Sequence, residues 1–137
     1  MSYLLDTNVV SELRRRRPDP SVVAWMRDAP TAELFLSVLT VGELRRGVEG
    51  LRRRDGSTAH TLDEWLAGLL TVYSERIVPV DQAIADLWGR LNVPDQLPAV
   101  DGLLAATAIV RGWILVTRNV ADVERTGVQL LNPFTPV

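Results

Sequence analysis

The sequence predicts a single α/β domain, spanning residues 1–137, with a mostly parallel central sheet and helices on both of its faces. Three observations lead there. Short apolar runs of strand length alternate with longer segments whose apolar residues recur every three to four positions. No internal repeat or low-complexity linker divides the chain, and 137 residues suffice for one hydrophobic core but not for two of ordinary size. Strands that alternate with helices run mostly parallel, because each helix returns the chain to the edge where the previous strand began.

The elements follow in order. Tyr3-Leu4-Leu5 is a first strand, closed by Asp6. Val9 to Arg17 reads as a short helix stopped by Pro18 and Pro20, and Ser21 to Asp28 as a second. Leu34 to Ser37 has strand length and leads into a helix over Thr40 to Arg54, where Val41, Leu44, Val48 and Leu51 share a face. Asp55-Gly56-Ser57 reads as a break. A helix over Thr61 to Ser74 comes next, then a short strand over Ile77 to Val80, with Asp81 placed to cap a helix ending at Leu91. Pro94 to Pro98 is a loop. Asp101 begins a helix whose small residues permit close approach to the sheet and which Gly112 terminates. Ile114 to Val116 is a strand, and Gln129 to Leu131 a last one.

Composition removes several chemistries. Without Cys there are no disulfides, thiolate nucleophiles or cysteine-ligated metal sites. Every basic residue except His60 is Arg, so a Schiff base, a Walker A loop and the phosphate-binding Lys of phosphoaspartate enzymes are excluded. Asp6 arrives too early for a signal-peptide apolar stretch, and no apolar run reaches the roughly 18 to 20 residues of a membrane span, so a cytoplasmic protein is expected. The net charge of −2 conceals an uneven distribution: residues 1–60 carry ten Arg against eight acids, residues 61–137 five against nine. Arg14 to Arg17, Arg45-Arg46 and Arg52 to Arg54 are each suited to phosphate contact or to an ordinary solvated face.

Four separated acids, Asp6, Glu43, Asp101 and Asp122, fall near the ends of strands or helices. Singly they have ordinary explanations: Asp6 and Asp101 as helix caps, Glu43 as a solvated helix residue, Asp122 as a turn residue. Together, at the C-terminal edge of a parallel sheet, they would repel one another unless a cation joined them. Oxygen donors without His or Cys favour Mg²⁺, or Mn²⁺, over Zn²⁺. The chemistry open to such a site is attack by metal-activated water on phosphorus.

Four stretches carry a resemblance to a known family. Leu5-Asp6-Thr7-Asn8-Val9-Val10-Ser11-Glu12, the segment Ser37 to Gly47 around Glu43, Val100-Asp101-Gly102-Leu103-Leu104-Ala105-Ala106-Thr107-Ala108, and Leu115 to Asp122 resemble, in order and spacing, the motifs of PIN-domain ribonucleases, specifically VapC- and FitB-like toxins. The resemblance implies a PIN-like fold and a Mg²⁺-dependent endoribonuclease. It implies that Asp6, Glu43, Asp101 and Asp122 form the catalytic, metal-holding pocket, with Asp6 and Asp101 as the direct metal ligands, Glu43 orienting or deprotonating water, and Asp122 as the fourth acid. Thr7, Asn8, Ser11, Thr117 and Asn119 match supporting polar positions. Val123 follows Asp122 where an aromatic residue is frequent, a departure that falls on the fourth acid. The implied partners are an RNA substrate, a cognate VapB-like antitoxin and a second copy of the chain, with no membrane. The competing reading is a protein-binding module with an inactive acidic site. A phosphoaspartate phosphatase fails, because Asn8 replaces the second Asp and no Lys is present. His60 reads as a surface residue in a loop, and Trp25, Trp65, Trp88 and Trp113 as packing residues rather than base-stacking platforms.

Overall fold

The computed structural model describes residues 1–135. Five parallel strands, β1 (Tyr3–Leu5), β2 (Leu34–Ser37), β3 (Ile77–Val78), β4 (Ile114–Val116) and β5 (Leu130–Leu131), form one sheet in the order β3-β2-β1-β4-β5. Among the described residues there are seven helices: α1 (Thr7–Glu12), α2 (Pro20–Asp28), α3 (Val38–Arg52), α4 (Gly56–Val72), α5 (Gln82–Leu91), α6 (Ala99–Arg111) and α7 (Val120–Val123).

Strand alternation divides the core in two. Leu5, Leu34, Leu36 and Val116 face one side, where they pack with Val9 and Val10 of α1, Val22 of α2, Leu44 and Val48 of α3 and Leu66 of α4. Their neighbours Leu4, Val78 and Leu115 face the other side, against Leu104, Ala105 and Ala108 of α6 and Val123 of α7. A fully buried Leu or Val contributes about 1.5–3 kcal/mol, so both faces are strongly anchored. The expected two-sided parallel sheet is what forms.

The boundaries differ from the expectation where side chains intervene. The first helix stops at Glu12 instead of Arg17: Glu12 turns its carboxylate to the Asp19 N–H at 2.8 Å, folding the intervening segment back, and four consecutive Arg would repel within a continuing helix. The fourth helix begins at Gly56, not Thr61, because Asp55 accepts the Thr58 N–H at 3.1 Å and caps it. His60 therefore stands on α4, not in a loop; it is exposed and 2.8 Å from Glu64. The helix expected from Asp101 starts at Ala99, which puts Asp101 in its first turn rather than at its cap. Asp81 does cap α5, accepting the Ile84 N–H at 2.9 Å, and Gly112 ends α6 with a φ of 72°. No helix among the described residues is long and apolar enough to cross a membrane.

Candidate active site

The sheet order places a site before any side chain is considered. From β1 the chain builds outward through β2 to β3, then crosses back to add β4 and β5 on the other side of β1. The loops leaving β1 and β4 consequently diverge, opening a crevice at the C-terminal edge of these two strands. Asp6 follows β1 directly, and Thr117 follows β4 directly. Two helices reach the same edge. α3 starts there after β2, and α6, which runs back toward the start of β4, has its N-terminal turn there.

Asp6 is only 5% exposed. Its Oδ1 accepts the Thr7 backbone N–H at 2.6 Å, while its Oδ2 accepts the Thr117 hydroxyl at 2.7 Å and the Asn8 side-chain amide at 3.4 Å. Asp6 thus does cap α1 while also facing the crevice. A carboxylate offers about four acceptor directions, so these three donors leave room for a further ligand. Burial pushes the Asp6 carboxyl up to about 6; the Thr117 hydroxyl opposes the rise, Asp101 adds to it, the Thr7 N–H opposes it and Glu43 adds to it.

Those influences put Asp6 within electrostatic reach of Asp101 and Glu43. Asp101 is likewise raised, first by burial, then by the charge of Asp122; the Asn119 side chain pulls it down and Glu43 pushes it up again. Glu43, one and a half turns into α3, is held by the Thr7 hydroxyl, which donates to its Oε1 at 2.5 Å. Asp122 lies on the exposed outer lip, on the short helix α7 that had no counterpart in the sequence expectation.

The supporting polar residues separate. Thr7, Asn8 and Thr117 contact the acids directly. Asn119 gives its backbone N–H to Thr117 Oγ1 at 2.9 Å and influences Asp101 through its side chain. Ser11 sits farther along α1, lining a small hollow of about 40 Å³ with Arg14, Glu43 and Trp65. Two contributors escaped the sequence reading. Thr40 is fully buried with its hydroxyl oxygen 3.3 Å from that of Thr7, and its spacing of one turn before Glu43 was the available signal. Glu12 is 5% exposed and ties α1 to Asp19 and Arg118; a carboxylate inside an apolar helix pattern was the clue.

The donor set tells which cation would suit the crevice. All the strong donors are carboxylates, and among the described residues no three acidic or imidazole groups close on one point as a finished cage. Such a set fits a hard ion that keeps much of its own water and takes one or two direct carboxylates, as Mg²⁺ does. Asp6 and Asp101, the two acids that burial strains most, are the groups whose charge a cation would relieve.

A doubly covered parallel sheet with a carboxylate cluster at its switch point defines a class of α/β proteins with an acidic pocket. The chain belongs to the PIN-domain family, whose model matches residues 3–127. It is 33% identical to the protein named VapC ribonuclease Y4jK of Sinorhizobium fredii, over 97% of this chain and 98% of that one. It is 34% identical to Toxin FitB of Neisseria gonorrhoeae, over 96% and 97%. The crystal structure of FitAcB from Neisseria gonorrhoeae superposes with a TM-score of 0.90 at 33% identity, covering 96% of this chain and 98% of that one.

Proposed function

We propose that this protein is a metal-dependent endoribonuclease, the toxic member of a type II toxin–antitoxin pair, with Asp6, Glu43, Asp101 and Asp122 forming its catalytic pocket. The observation that carries the reading is the buried Asp6 carboxylate, raised by desolvation and by Asp101 and Glu43 yet held open to the crevice by Thr117 and Thr7. The relatives named ribonuclease and toxin support it, since they match nearly end to end.

Asp6 and Asp101 would hold Mg²⁺, or Mn²⁺ in its place. When bound, the cation would supply a water of lowered pKa and neutralise charge gathering on the phosphoryl oxygens. The remaining work belongs to the chain. Thr117 and the Thr7 N–H favour the ionised form of Asp6, as Asn119 does for Asp101. Glu43, with Oε1 anchored by Thr7, keeps Oε2 to orient a water and accept its proton. Asp122, at the lip, raises the local negative charge and so favours cation entry. The partner is a cognate VapB-like antitoxin, and toxin dimers within a hetero-oligomer fit the same reading, as does a cytoplasmic setting.

The test is direct. Purified protein cleaves RNA with Mg²⁺ or Mn²⁺ and not in chelator, and Asp6→Asn abolishes cleavage while leaving partner binding intact. Cleavage that survives Asp6→Asn removes the proposed pocket. Absence of any metal-dependent turnover, with a partner still bound, supports the inactive binding module instead.

A further inference from the structure

The structure divides the arginines into those that are engaged and those that are available. Arg45 and Arg52 clasp Glu49 and Asp63, tying α3 to α4. Arg27 pairs with Asp28 and Arg90 with Asp86. Arg76 and Arg125 direct their N–H groups to backbone carbonyls. One group differs. Arg15, Arg16, Arg17 and Arg118 are all exposed, and two of them, Arg15 and Arg118, share a single acid, Glu12. Arg15 Nη1 and Arg118 Nη2 lie 3.3 Å and 3.7 Å from the same Glu12 oxygen. Glu12 Oε2 is already given to the Asp19 N–H, and Arg16 and Arg17 form no salt bridge among the described residues.

The location decides what this cationic edge is for. Arg118 immediately follows Thr117, the residue bonded to Asp6, and its backbone N–H reaches Asn8 Oδ1 at 3.4 Å. Its guanidinium carbon lies 3.7 Å from the centre of the Phe134 ring, a cation–π contact that holds the side chain at this edge. Glu12 ends the six-residue helix that Asp6 caps, so their backbone positions lie about 9 Å apart along its axis at 1.5 Å per residue. An acidic pocket repels a phosphodiester strand, and cationic anchorage close beside it offsets that repulsion. Arg15, Arg16 and Arg17 alone line an open hollow of about 500 Å³, without the aromatic or aliphatic centre of a protein-docking site.

We propose that Arg15, Arg16, Arg17 and Arg118 form a phosphate-binding rim that anchors the backbone of single-stranded RNA beside the acidic pocket, with Glu12 holding its inner edge. The inference rests on the nuclease reading and names the surface by which that substrate is held. Its test uses a labelled single-stranded RNA of mixed sequence, measured by binding in chelator and by cleavage in Mg²⁺. Three variants are compared with wild type: Arg16→Gln/Arg17→Gln, Arg118→Gln, and a charge-matched control, Arg53→Gln/Arg54→Gln, at the far end of α3.

The rim predicts that Arg16→Gln/Arg17→Gln weakens binding about tenfold and lowers the salt slope by about 0.7 for each phosphate no longer neutralised. KM rises by more than kcat changes, and Arg118→Gln acts in the same direction. The control stays close to wild type, and circular dichroism shows all variants folded. Equal losses in the control mean general electrostatics and overturn the rim, as does wild-type affinity in the rim variants. Loss confined to binding of a protein partner also overturns it, assigning the run to protein docking. If wild type cleaves RNA and only the rim variants behave unexpectedly, the rim alone fails. If wild type neither binds nor cleaves RNA, both readings fail.

Discussion

Thr117 donates its hydroxyl to Asp6 Oδ2 at 2.7 Å, joining residues 111 positions apart across the gap between β4 and β1. The bond lies inside the protein, and the same hydroxyl oxygen accepts the Asn119 N–H at 2.9 Å, so one side chain fixes both the carboxylate and the turn beside it. Thr117→Val keeps the shape and removes this junction. The expected outcome is a loss of about 1–3 kcal/mol in denaturant unfolding, from the acceptor and donor left unpaired in a buried place. Asp6 is deprived of the hydrogen bond that most favours its ionised form, so the acidic limb of the pH–rate profile moves to higher pH. A variant with an unmoved limb would deny Thr117 any part in tuning Asp6.

Asp6 should make the metal-free protein less stable at neutral pH than in mild acid. Its carboxyl stands at about 6 when folded against an ordinary value of 3.8, chiefly because it is buried. Folded chain therefore binds the proton more tightly, and stability from this group falls as pH rises from about 4 to about 6, the loss being complete above that. At about 1.4 kcal/mol per pH unit the cost is on the order of 2–3 kcal/mol. Asp6→Asn removes it, so this variant in chelator should unfold at higher denaturant than wild type at pH 7, the gap closing by pH 4. The comparison must be between the two proteins, since Asp55 and Asp63, both lowered by their hydrogen-bond partners, push the whole-chain profile the other way.

Cation binding should reverse that penalty. Mg²⁺ at about a hundred times its dissociation constant stabilises a folded protein by about 2.7 kcal/mol, so the melting temperature of wild type should climb with added Mg²⁺. Because the ion displaces a proton from Asp6, the climb should be steeper above pH 6 than below it. Asp6→Asn should show little response. An equal response in the variant would move the cation to some other part of the chain.

Gly102 should tolerate no side chain. A Cβ there would stand 3.1 Å from Leu97 Cβ and 3.2 Å from Trp88 Nε1, a buried donor without a hydrogen-bond partner among the described residues. Gly102→Ala therefore requires Leu97 and Trp88 to give way by a few tenths of an ångström, and the expected cost of this overpacking is about 1–3 kcal/mol. Asp101 is the preceding residue, so RNA cleavage should fall by more than the unfolding data alone explain. Full activity in that variant would mean that Asp101 is positioned independently of this packing.

The sequence carried the fold where its signals were periodic, and lost it where single side chains redirect the backbone. The strands Tyr3–Leu5 and Ile114–Val116 have the limits their sequence predicts, because each short apolar run is closed by a polar residue, Asp6 or Thr117. The end of α1 was misjudged because Glu12 bonds to a backbone group beyond the turn, a contact that no local pattern encodes. Likewise Asp55 looked like part of a break and instead launches α4. Of the site, the four acids were legible from their motifs. Thr40 was not distinguished from its neighbours, because its value comes from meeting Thr7 on a different helix. The arginines were visible only as runs; which of them lack carboxylates of their own depends on where Glu49, Asp63 and Glu12 fall in space.

The crossing from β3 back to β4 also orders events in time. Because β1 and β4 are neighbours in the sheet but lie at opposite ends of the chain, Asp6 cannot meet Thr117 until nearly all of the sequence has been made. A chain halted during synthesis, or cut by a protease before β4, retains Asp6 and Glu43 but not the turn that completes their pocket. The full set of groups around Asp6 thus exists only in nearly finished molecules, and a partner that recognises the completed fold meets the crevice only once it is whole.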